Sequence, residues 1–239
     1  MARSLLCQIE KQKLDWADMF YLVAWPNEAR DLRFWPAHPP SFRTSIDRYS
    51  SPPRRRRKWH AACWSSSWPR TWELIRHHCM LQMFQGQPQG LRMNHYPPCR
   101  QANIVLGMSP HTDAAGLTLL LQVNDMPGLQ IGRDGKWFAV DALDGALVLI
   151  VGDILEILSN GKYRCVVHQA AVHPSRERMS AAVFHRPCLG AVVGPLPEPV
   201  KDGGGRARYR SIGYLDFMKR YFSAKLDGLN DLDILNIDL

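Results

Sequence analysis

Short apolar segments rich in β-branched and aromatic residues, separated by turn signals, dominate the chain from residue 86 onward. Arg133-Asp134-Gly135-Lys136 is a strong β-hairpin signal, and Asn160-Gly161 marks a second tight turn. Such closely spaced strands favour a β-sandwich or barrel over alternating β-α units, because little sequence is left for crossover helices. We predict strands over residues 91–96, 117–123, 129–131, 137–140, 146–151, 163–172 and 179–185, with 146–151 buried.

The organisation of the chain follows from where this strand-rich sequence starts and stops. Its 239 residues suit one large domain or two small ones. We expect a β core over residues 86–190, preceded by an incomplete flanking region over 1–85 and followed by a loop and a helix over 191–239. Residues 41–49 and 212–235 are expected to be helical. The prediction is therefore a mainly β protein with flanking helices.

The positive charge of the chain is concentrated in one irregular segment. The formal net charge is +8, and residues 51–79 hold seven Lys or Arg residues against one acidic residue, Glu73. The same segment contains four of the eight tryptophans and shows no clean helix or strand period. A basic run interleaved with aromatics can bind single-stranded nucleic acid. We interpret this one as a poorly ordered or sequence-damaged linker, because the rest of the chain supplies no nucleic-acid motif.

Composition excludes several other classes of protein. The chain is 46% hydrophobic and 22% charged, which argues against disorder. Its longest purely apolar run covers residues 146–151, far short of the roughly 20 residues that cross a bilayer. Six cysteines are scattered without a Cys-x-x-Cys pair, and the N-terminus shows no secretory signal pattern. We therefore expect a reduced, cytoplasmic, monomeric protein with neither a membrane nor a nucleic-acid partner.

Three polar residues in the strand-rich region form a set suited to a metal ion. In His111-Thr112-Asp113, an imidazole and a carboxylate two residues apart can face one centre in extended structure. His168 lies on an otherwise apolar predicted strand, where a histidine needs a polar partner. Two neutral nitrogens and one carboxylate are the facial triad of non-haem iron(II), which leaves coordination positions open. Taken singly, these residues are better explained as polar surface or turn residues and a hydrogen-bonded core histidine.

A second polar pair, Arg178 and Ser180, follows on the next predicted strand. Residues two apart share a strand face, so a guanidinium fork and a hydroxyl can bind one carboxylate. A buried arginine needs an anionic partner, and no acidic residue stands nearby in sequence to provide one. Taken alone, Arg178 is better explained as a surface residue. The combined spacing with His111, Asp113 and His168 favours a site.

These motifs resemble the plant 2-oxoglutarate- and iron(II)-dependent dioxygenases, most closely the group of specialised metabolism that includes flavonoid and alkaloid oxygenases. The resemblance is carried by Arg92-Met93-Asn94-His95-Tyr96-Pro97-Pro98-Cys99, His111-Thr112-Asp113, Asn160-Gly161-Lys162-Tyr163, His168 and Arg178-Met179-Ser180. It implies a double-stranded β-helix (jelly roll) that binds iron through His111, Asp113 and His168. It also implies that 2-oxoglutarate is bound by Arg178, Ser180, Asn94 and Tyr96. Phe184 would line the substrate pocket.

The resemblance implies the oxidation of a small, largely apolar metabolite by O2, with 2-oxoglutarate converted to succinate and CO2. Hydroxylation, desaturation and demethylation are the expected outcomes, with Fe(II) as cofactor and ascorbate as reductant. Three alternatives stay open. One is an iron(II) oxidase that holds a different carboxylate and uses no 2-oxoglutarate. The others are a catalytically impaired remnant and a zinc hydrolase, although no general base stands beside the histidine motif.

The chain departs from the family pattern in its first third. Family members begin with a longer N-terminal part, so we expect this sequence to be N-terminally truncated. Residues 51–79 stand where a long amphipathic helix is usual, and Trp68-Pro69 would interrupt one. A shifted reading frame or a wrongly predicted exon would explain the abrupt change. Gln169 and His95 stand where arginine and tyrosine are common in the family.

Overall fold

A computed structural model of the chain describes residues 15–50, 83–84, 89–223, 232 and 235–237. The basic segment 51–79 lies outside the described residues, as do residues 224–231 of the expected C-terminal helix. The linker interpretation and the proposed division of the chain at residues 85 and 190 therefore stay predictions.

Antiparallel strands form two main sheets. The larger sheet has the order β1 (Asp18–Trp25), β2 (Gln89–Tyr96), β9 (Arg178–His185), β4 (Leu117–Gln122) and β7 (Leu147–Val151). The smaller sheet has the order β3 (Leu106–His111), β8 (His168–Ala171), β5 (Leu129–Arg133) and β6 (Lys136–Ala139). A short ribbon pairs β10 (Val192–Val193) with β11 (Ile212–Gly213). Because the chain passes back and forth between the two main sheets, they form the double-stranded β-helix that the family resemblance implies.

The described residues include four α-helices with defined bounds, which flank the sheets: α1 (Ser41–Ser50), α2 (Asp153–Leu158), α3 (Pro197–Asp202) and α4 (Tyr214–Ser223). Two short 3-10 helices, Asn27–Ala29 and Leu32–Phe34, lie between β1 and α1. Ile46 of α1 packs with Leu22 and Leu91 against the outer face of the larger sheet. Phe217 of α4 packs into one buried cluster with the apolar side chains of α2. Among the described helices, none is long and apolar enough to cross a membrane.

Alternation along the central strand β9 separates the two faces of the larger sheet. Val183 points outward and packs against Leu22 and Leu91. Ala182 points inward and joins Leu120, Ile150 and Leu129 in a cluster between the sheets. Since side chains alternate along a strand, Arg178, Ser180 and Phe184 share the inward face with Ala182. The interior of the jelly roll is therefore the place where the predicted polar residues can meet.

The structure confirms most of the predicted strands. The segments 91–96, 117–123, 129–131, 137–140 and 179–185 correspond to β2, β4, β5, β6 and β9. The turn between β5 and β6 has positive φ at both Asp134 (51°) and Gly135 (71°), as a type I′ hairpin requires. The short helix expected over 41–49 is α1.

Three sequence predictions were wrong in detail. The strand at 146–151 is not buried: β7 is an edge strand that pairs with β4 alone among the described strands, and Leu147 is 41% exposed. The strand expected over 163–172 is limited to β8, because the Cys165 N–H donates to Glu156 instead of a neighbouring strand. His168 therefore begins its strand rather than lying in the middle. The helix expected from residue 212 begins at Tyr214, since Ile212 and Gly213 pair with β10.

Two strands of the main sheets, β1 and β3, were missed by the sequence analysis, as were the two-residue strands β10 and β11. Residues of β1 were interpreted only as part of an extended, proline-bounded stretch. The strand β3 contains Pro110 and few β-branched residues, which hides it from a composition-based search. It lies at the edge of the smaller sheet, where a proline is tolerated.

Candidate active site

The two predicted histidine ligands are direct partners across a strand pair. His111 ends β3 and His168 begins β8, and the antiparallel register places them opposite each other. Their ring centroids are 4.3 Å apart. Asp113 follows in the loop after β3, and its Oδ1 lies 3.8 Å from Nε2 of each histidine. The pairing of these two strands therefore brings together three residues that are far apart in sequence.

Backbone carbonyls fix the tautomer of both histidines. His111 Nδ1 lies 2.9 Å from the Ser109 carbonyl oxygen, and His168 Nδ1 lies 3.0 Å from that of Val166. A carbonyl can only accept, so each Nδ1 carries the proton and each Nε2 keeps a free lone pair. Ser109 is held in turn by Asp15, whose Oδ1 accepts from the Ser109 N–H at 2.8 Å and from its hydroxyl at 2.6 Å.

The electrostatics of the cluster favour a bound cation. Burial, and then the neighbouring His168, lower the pKa of His111 to about 4, so its imidazole is neutral at physiological pH. Asp113 is buried, and its Oδ2 has no hydrogen-bond partner. The ligand atoms of all three residues lie within 4.8 Å of one another. Two neutral nitrogens and an unsatisfied buried carboxylate are the donors that a divalent iron site requires, so the residues fit this metal.

The loop that carries Asp113 is held at every backbone carbonyl from Thr112 to Gly116. The Tyr221 hydroxyl donates to the Thr112 carbonyl at 3.0 Å, and the Tyr214 hydroxyl donates to that of Ala114 at 2.9 Å. Both tyrosines belong to α4. The other three carbonyls accept from backbone N–H groups at the start of α2: Asp113 from Asp153 (2.9 Å), Ala115 from Ile154 (3.1 Å) and Gly116 from Gly152 (3.1 Å).

Close packing at Gly152 makes this arrangement possible. A Cβ atom there would lie 2.2 Å from the Ala115 carbonyl oxygen and 2.7 Å from that of Asp113. No side chain fits at such distances, so glycine is required for α2 to approach the loop. Two helices therefore determine where the Asp113 carboxylate stands.

Arg178 and Tyr96 lie together on neighbouring strands of the larger sheet. They are register partners between β9 and β2, and the guanidinium carbon is 5.2 Å from the centre of the Tyr96 ring. Arg178 is only 3% exposed, and its Nε has no hydrogen-bond partner. Burial lowers the pKa of this guanidinium and raises that of the Tyr96 hydroxyl. A buried, incompletely satisfied guanidinium is suited to bind a carboxylate.

Ser180 and Asn94 form the next register pair on the same face of these two strands. The Asn94 Nδ2 donates to the Ser180 hydroxyl oxygen at 3.3 Å, and both residues are buried. Space for Arg178 depends on Gly128, where a Cβ atom would lie 2.7 Å from the Arg178 Cδ. A row of polar side chains therefore follows β2 and β9 on the face that points toward the smaller sheet. Its members are Arg178, Tyr96, Ser180 and Asn94.

One cleft between the two sheets brings all of these residues together. It encloses about 430 Å³, its open mouth included. Every site residue predicted from the sequence lines it: Asn94, Tyr96, His111, Asp113, His168, Arg178, Ser180 and Phe184. Its apolar walls include Leu120, Ile150 and Ala182. We name this space the central cleft.

Sequence reasoning missed two kinds of residue at the site. Arg92 also lines the central cleft, and its position two residues before Asn94 on β2 could have indicated the shared face. Tyr214 and Tyr221 left no signal in the sequence, because their link to the Asp113 loop joins residues about a hundred positions apart.

Comparison with known proteins identifies what the region around this site is similar to. A family model of the 2OG-Fe(II) oxygenase superfamily matches residues 87–187. The rice (Oryza sativa subsp. japonica) protein named 2-oxoglutarate-dependent dioxygenase 11 is 54% identical over 96% of this chain and 62% of its own length. Oxoglutarate-dependent flavonoid 7-O-demethylase 1 of Ocimum basilicum is 38% identical over 95% of this chain and 60% of its own length.

The fold agrees with that of a solved member of the family. A crystal structure titled JOX2 in complex with 2OG, Fe, and JA matches with a TM-score of 0.77 and 30% identity, over 91% of this chain and 62% of that one. The chain thus spans about three fifths of the length of these relatives. The chain is similar over nearly all of its own length to plant 2-oxoglutarate-dependent dioxygenases, and its residues 87–187 match the 2OG-Fe(II) oxygenase superfamily.

Proposed function

We propose that the protein is an Fe(II)- and 2-oxoglutarate-dependent oxygenase that oxidises a small metabolite and releases succinate and CO2. The observation that carries this proposal is the position of the His111, Asp113 and His168 cluster in the same cleft as the buried Arg178. The family supplies the identity of the metal and of the keto acid. Hydroxylation, desaturation and demethylation are the reaction types that we propose, in line with the demethylase among its relatives.

In this proposal His111, Asp113 and His168 would hold the iron, which would supply the oxygen chemistry that is coupled to 2-oxoglutarate. The Ser109 and Val166 carbonyls orient the two imidazoles, and α2 and α4 fix the Asp113 loop. Ascorbate acts as the external reductant.

Arg178 and Ser180 are assigned to the distal carboxylate of 2-oxoglutarate. The guanidinium supplies charge-assisted hydrogen bonds, and its Nε, which has no hydrogen-bond partner among the described residues, is available for the cosubstrate. Asn94 holds the Ser180 hydroxyl, and the Tyr96 ring packs beside Arg178. Phe184 is assigned to the substrate, with Ala182 and Leu120 completing an apolar wall that excludes water from the reacting groups.

Succinate formation from 2-oxoglutarate by the purified protein tests this function. We expect succinate to form in the presence of Fe(II), ascorbate and oxygen, and a weak visible absorption band to appear when Fe(II) and 2-oxoglutarate are mixed with the protein anaerobically. His111→Ala and His168→Ala should abolish both signals, with Asp113→Asn nearly as severe. His95→Ala is the matched control, because His95 is exposed and lies beside Glu177 and Asp18, outside the cleft.

The possible outcomes separate the alternatives. Activity with Zn(II) in place of Fe(II) would contradict the oxygenase function. Oxygen consumption without succinate formation would instead identify an iron(II) oxidase that does not use 2-oxoglutarate. If the wild-type protein shows neither the absorption band nor succinate formation, it is an inactive remnant.

We also propose that the protein acts as a cytoplasmic monomer without a membrane or nucleic-acid partner. Three cysteines in the described part of the chain, Cys99, Cys165 and Cys188, are free thiols, which fits a reducing compartment. Light scattering on the purified protein tests the monomer, for which we expect a mass near 27.3 kDa. Fluorescence imaging of a tagged protein tests the location.

A further inference from the structure

Asp15, which precedes β1, is hydrogen-bonded to the strand that carries His111. Its Oδ1 accepts from the N–H of Ser109 at 2.8 Å and from the Ser109 hydroxyl at 2.6 Å. The carbonyl of the same Ser109 accepts from His111 Nδ1 at 2.9 Å. A carboxylate that stands 94 residues before Ser109 in sequence is therefore connected to a predicted metal ligand through a single residue.

The pairing of β3 with β8 does not by itself fix the position of Ser109. The register shifts between Leu106 and Met108 and again between Met108 and His111, so Ser109 and Pro110 have no register partner on β8. Pro110 has no N–H to donate, and β3 is an edge strand that pairs with β8 alone among the described strands. Because a bulge disrupts the hydrogen-bond ladder locally, contacts from outside the sheet must hold the Ser109 carbonyl in place.

The segment that carries Asp15 is itself anchored by Trp16. The Trp16 N–H donates to the Leu106 carbonyl at 2.9 Å, and the indole Nε1 donates to the Pro97 carbonyl at 3.1 Å. Leu106 begins β3 of the smaller sheet, and Pro97 directly follows β2 of the larger sheet. Asp15 therefore contacts Ser109 from a segment that is bonded to both sheets.

Both contacts of Asp15 with Ser109 are charge-assisted hydrogen bonds, which are about twice as strong as neutral ones. Ser109 is buried, so water does not compete strongly for these bonds. We propose that Asp15 is a positioning residue for His111: it holds Ser109, whose carbonyl keeps the imidazole proton on Nδ1 and the lone pair on Nε2 for the metal. This inference rests on the metal site of the proposed function and extends it to a residue outside the central cleft.

His168 provides an internal comparison within the same metal cluster. Its Nδ1 donates to the Val166 carbonyl at 3.0 Å, and this contact does not involve Asp15 or Ser109. Loss of the Asp15 carboxylate should therefore change the tautomer of His111 and leave that of His168 as it is.

Nitrogen-15 NMR of the histidine side chains in the metal-free protein tests the proposal. In the wild type at neutral pH, we expect His111 and His168 to carry the proton on Nδ1; His111→Ala and His168→Ala identify their signals. In Asp15→Ala, His111 should become a mixture of both tautomers, whereas His168 should keep its proton on Nδ1. The Mn(II) dissociation constant should rise at least about tenfold. Asp15→Asn should show a smaller rise, because the amide oxygen still accepts hydrogen bonds but carries no charge.

Asp18→Ala is the matched control, because the Asp18 carboxylate is largely exposed and lies beside the exposed His95. It should change neither the His111 tautomer nor the Mn(II) dissociation constant. An unchanged His111 tautomer or wild-type Mn(II) affinity in Asp15→Ala would overturn the proposal. So would a change of tautomer at both histidines, because it would show a general loosening of the sheet. If Asp15→Ala does not fold, Asp15→Asn provides the same comparison. Absence of succinate formation in the wild type would disprove the oxygenase function alone, since both measurements are made without 2-oxoglutarate.

Discussion

Two buried charged residues in the central cleft are left incompletely satisfied by the protein. Asp113 has an oxygen without a hydrogen-bond partner, and Arg178 has an Nε without one. Each unsatisfied buried group costs stability, so neither would be retained for the sake of the fold. Both side chains are instead explained as binding groups for a ligand of opposite charge. Asp113 is suited to a metal cation, and Arg178 is suited to a carboxylate.

Replacement of Arg178 by methionine should therefore separate stability from function. Arg178→Met removes a buried charge while it keeps an apolar side chain of similar length. We expect the free energy of unfolding of the metal-free protein to rise by about 1–3 kcal/mol, because the cost of burying the guanidinium disappears. Affinity for 2-oxoglutarate should fall at least about tenfold. Urea denaturation and 2-oxoglutarate titration measure the two effects, with Arg178→Lys as the charge-conserving control. Unchanged keto-acid affinity would count against the assignment.

At the scale of elements, the helices α2 and α4 are part of the metal site although neither supplies a ligand. The first turn of α2 satisfies three carbonyls of the Asp113 loop, and two tyrosines of α4 satisfy the other two. The geometry of a metal site depends on the contacts that orient its ligands as well as on the ligands themselves. The position of Asp113 should therefore depend on α4, whose tyrosines follow it by about a hundred residues.

Removal of the α4 hydroxyl groups should weaken metal binding. Tyr214→Phe and Tyr221→Phe keep the rings in place but leave the Ala114 and Thr112 carbonyls without their donors. We expect the double variant to bind Mn(II) at least about tenfold more weakly than the wild type. Tyr209→Phe is the matched control, because its hydroxyl donates at 2.6 Å to Glu156 and not to the loop. Each lost hydroxyl should lower the free energy of unfolding by about 1 kcal/mol, in Tyr209→Phe as in the other two substitutions. Tyr209→Phe should nevertheless leave the Mn(II) dissociation constant unchanged. Equal Mn(II) affinity in all of these proteins would exclude a positioning role.

The helix α2 also contributes a pH dependence through Asp153. This side chain is fully buried, and burial raises its pKa from 3.8 to about 7, with the negative charges of Asp113 and Glu156 adding to the effect. The folded protein thus keeps the proton up to about pH 7, whereas the unfolded chain loses it near pH 4. Since the folded state binds more protons in this window, stability should fall as pH rises from 4 to 7, by up to about 1.4 kcal/mol per pH unit.

Asp153→Asn tests this dependence because an amide does not titrate. Urea denaturation of the metal-free protein at several pH values should show that the stability difference between Asp153→Asn and the wild type increases between pH 4 and 7 and levels off above pH 7. Parallel stability curves for the two proteins across this range would show that Asp153 does not carry the proton.

Elements with a local signal were predictable from the sequence, and elements defined by tertiary contacts were not. The β5–β6 hairpin follows from Asp134-Gly135, and β9 follows from its alternating apolar run. The exposure of β7 depends on its place at a sheet edge, which a run of apolar residues does not reveal. The metal ligands were identified from residue type and family resemblance. The register that makes His111 and His168 direct partners, and the tyrosines behind Asp113, are visible only in the folded chain.

At the scale of the whole molecule, the metal cluster stands where the two sheets meet. His111 and His168 belong to the smaller sheet, while the Asp113 loop leads directly into β4 of the larger sheet at Leu117. The cleft lies between the sheets, and the apolar contacts of Leu120, Ile150 and Ala182 with Leu129 close its interior. An ion held by all three ligands would therefore connect both halves of the jelly roll.

A bound ion should accordingly stabilise the whole domain rather than one loop. At a free metal concentration a hundred times the dissociation constant, binding adds about 2.7 kcal/mol to the free energy of unfolding. For a chain of this size, that corresponds to a rise in Tm of about 5–10 °C. Mn(II), which avoids oxidation, should produce this rise in the wild type, and chelation should reverse it. His168→Ala should show almost no metal-dependent rise, whereas His95→Ala should behave as the wild type. A metal-dependent rise that persists in His168→Ala would place the stabilising ion somewhere other than between the two sheets.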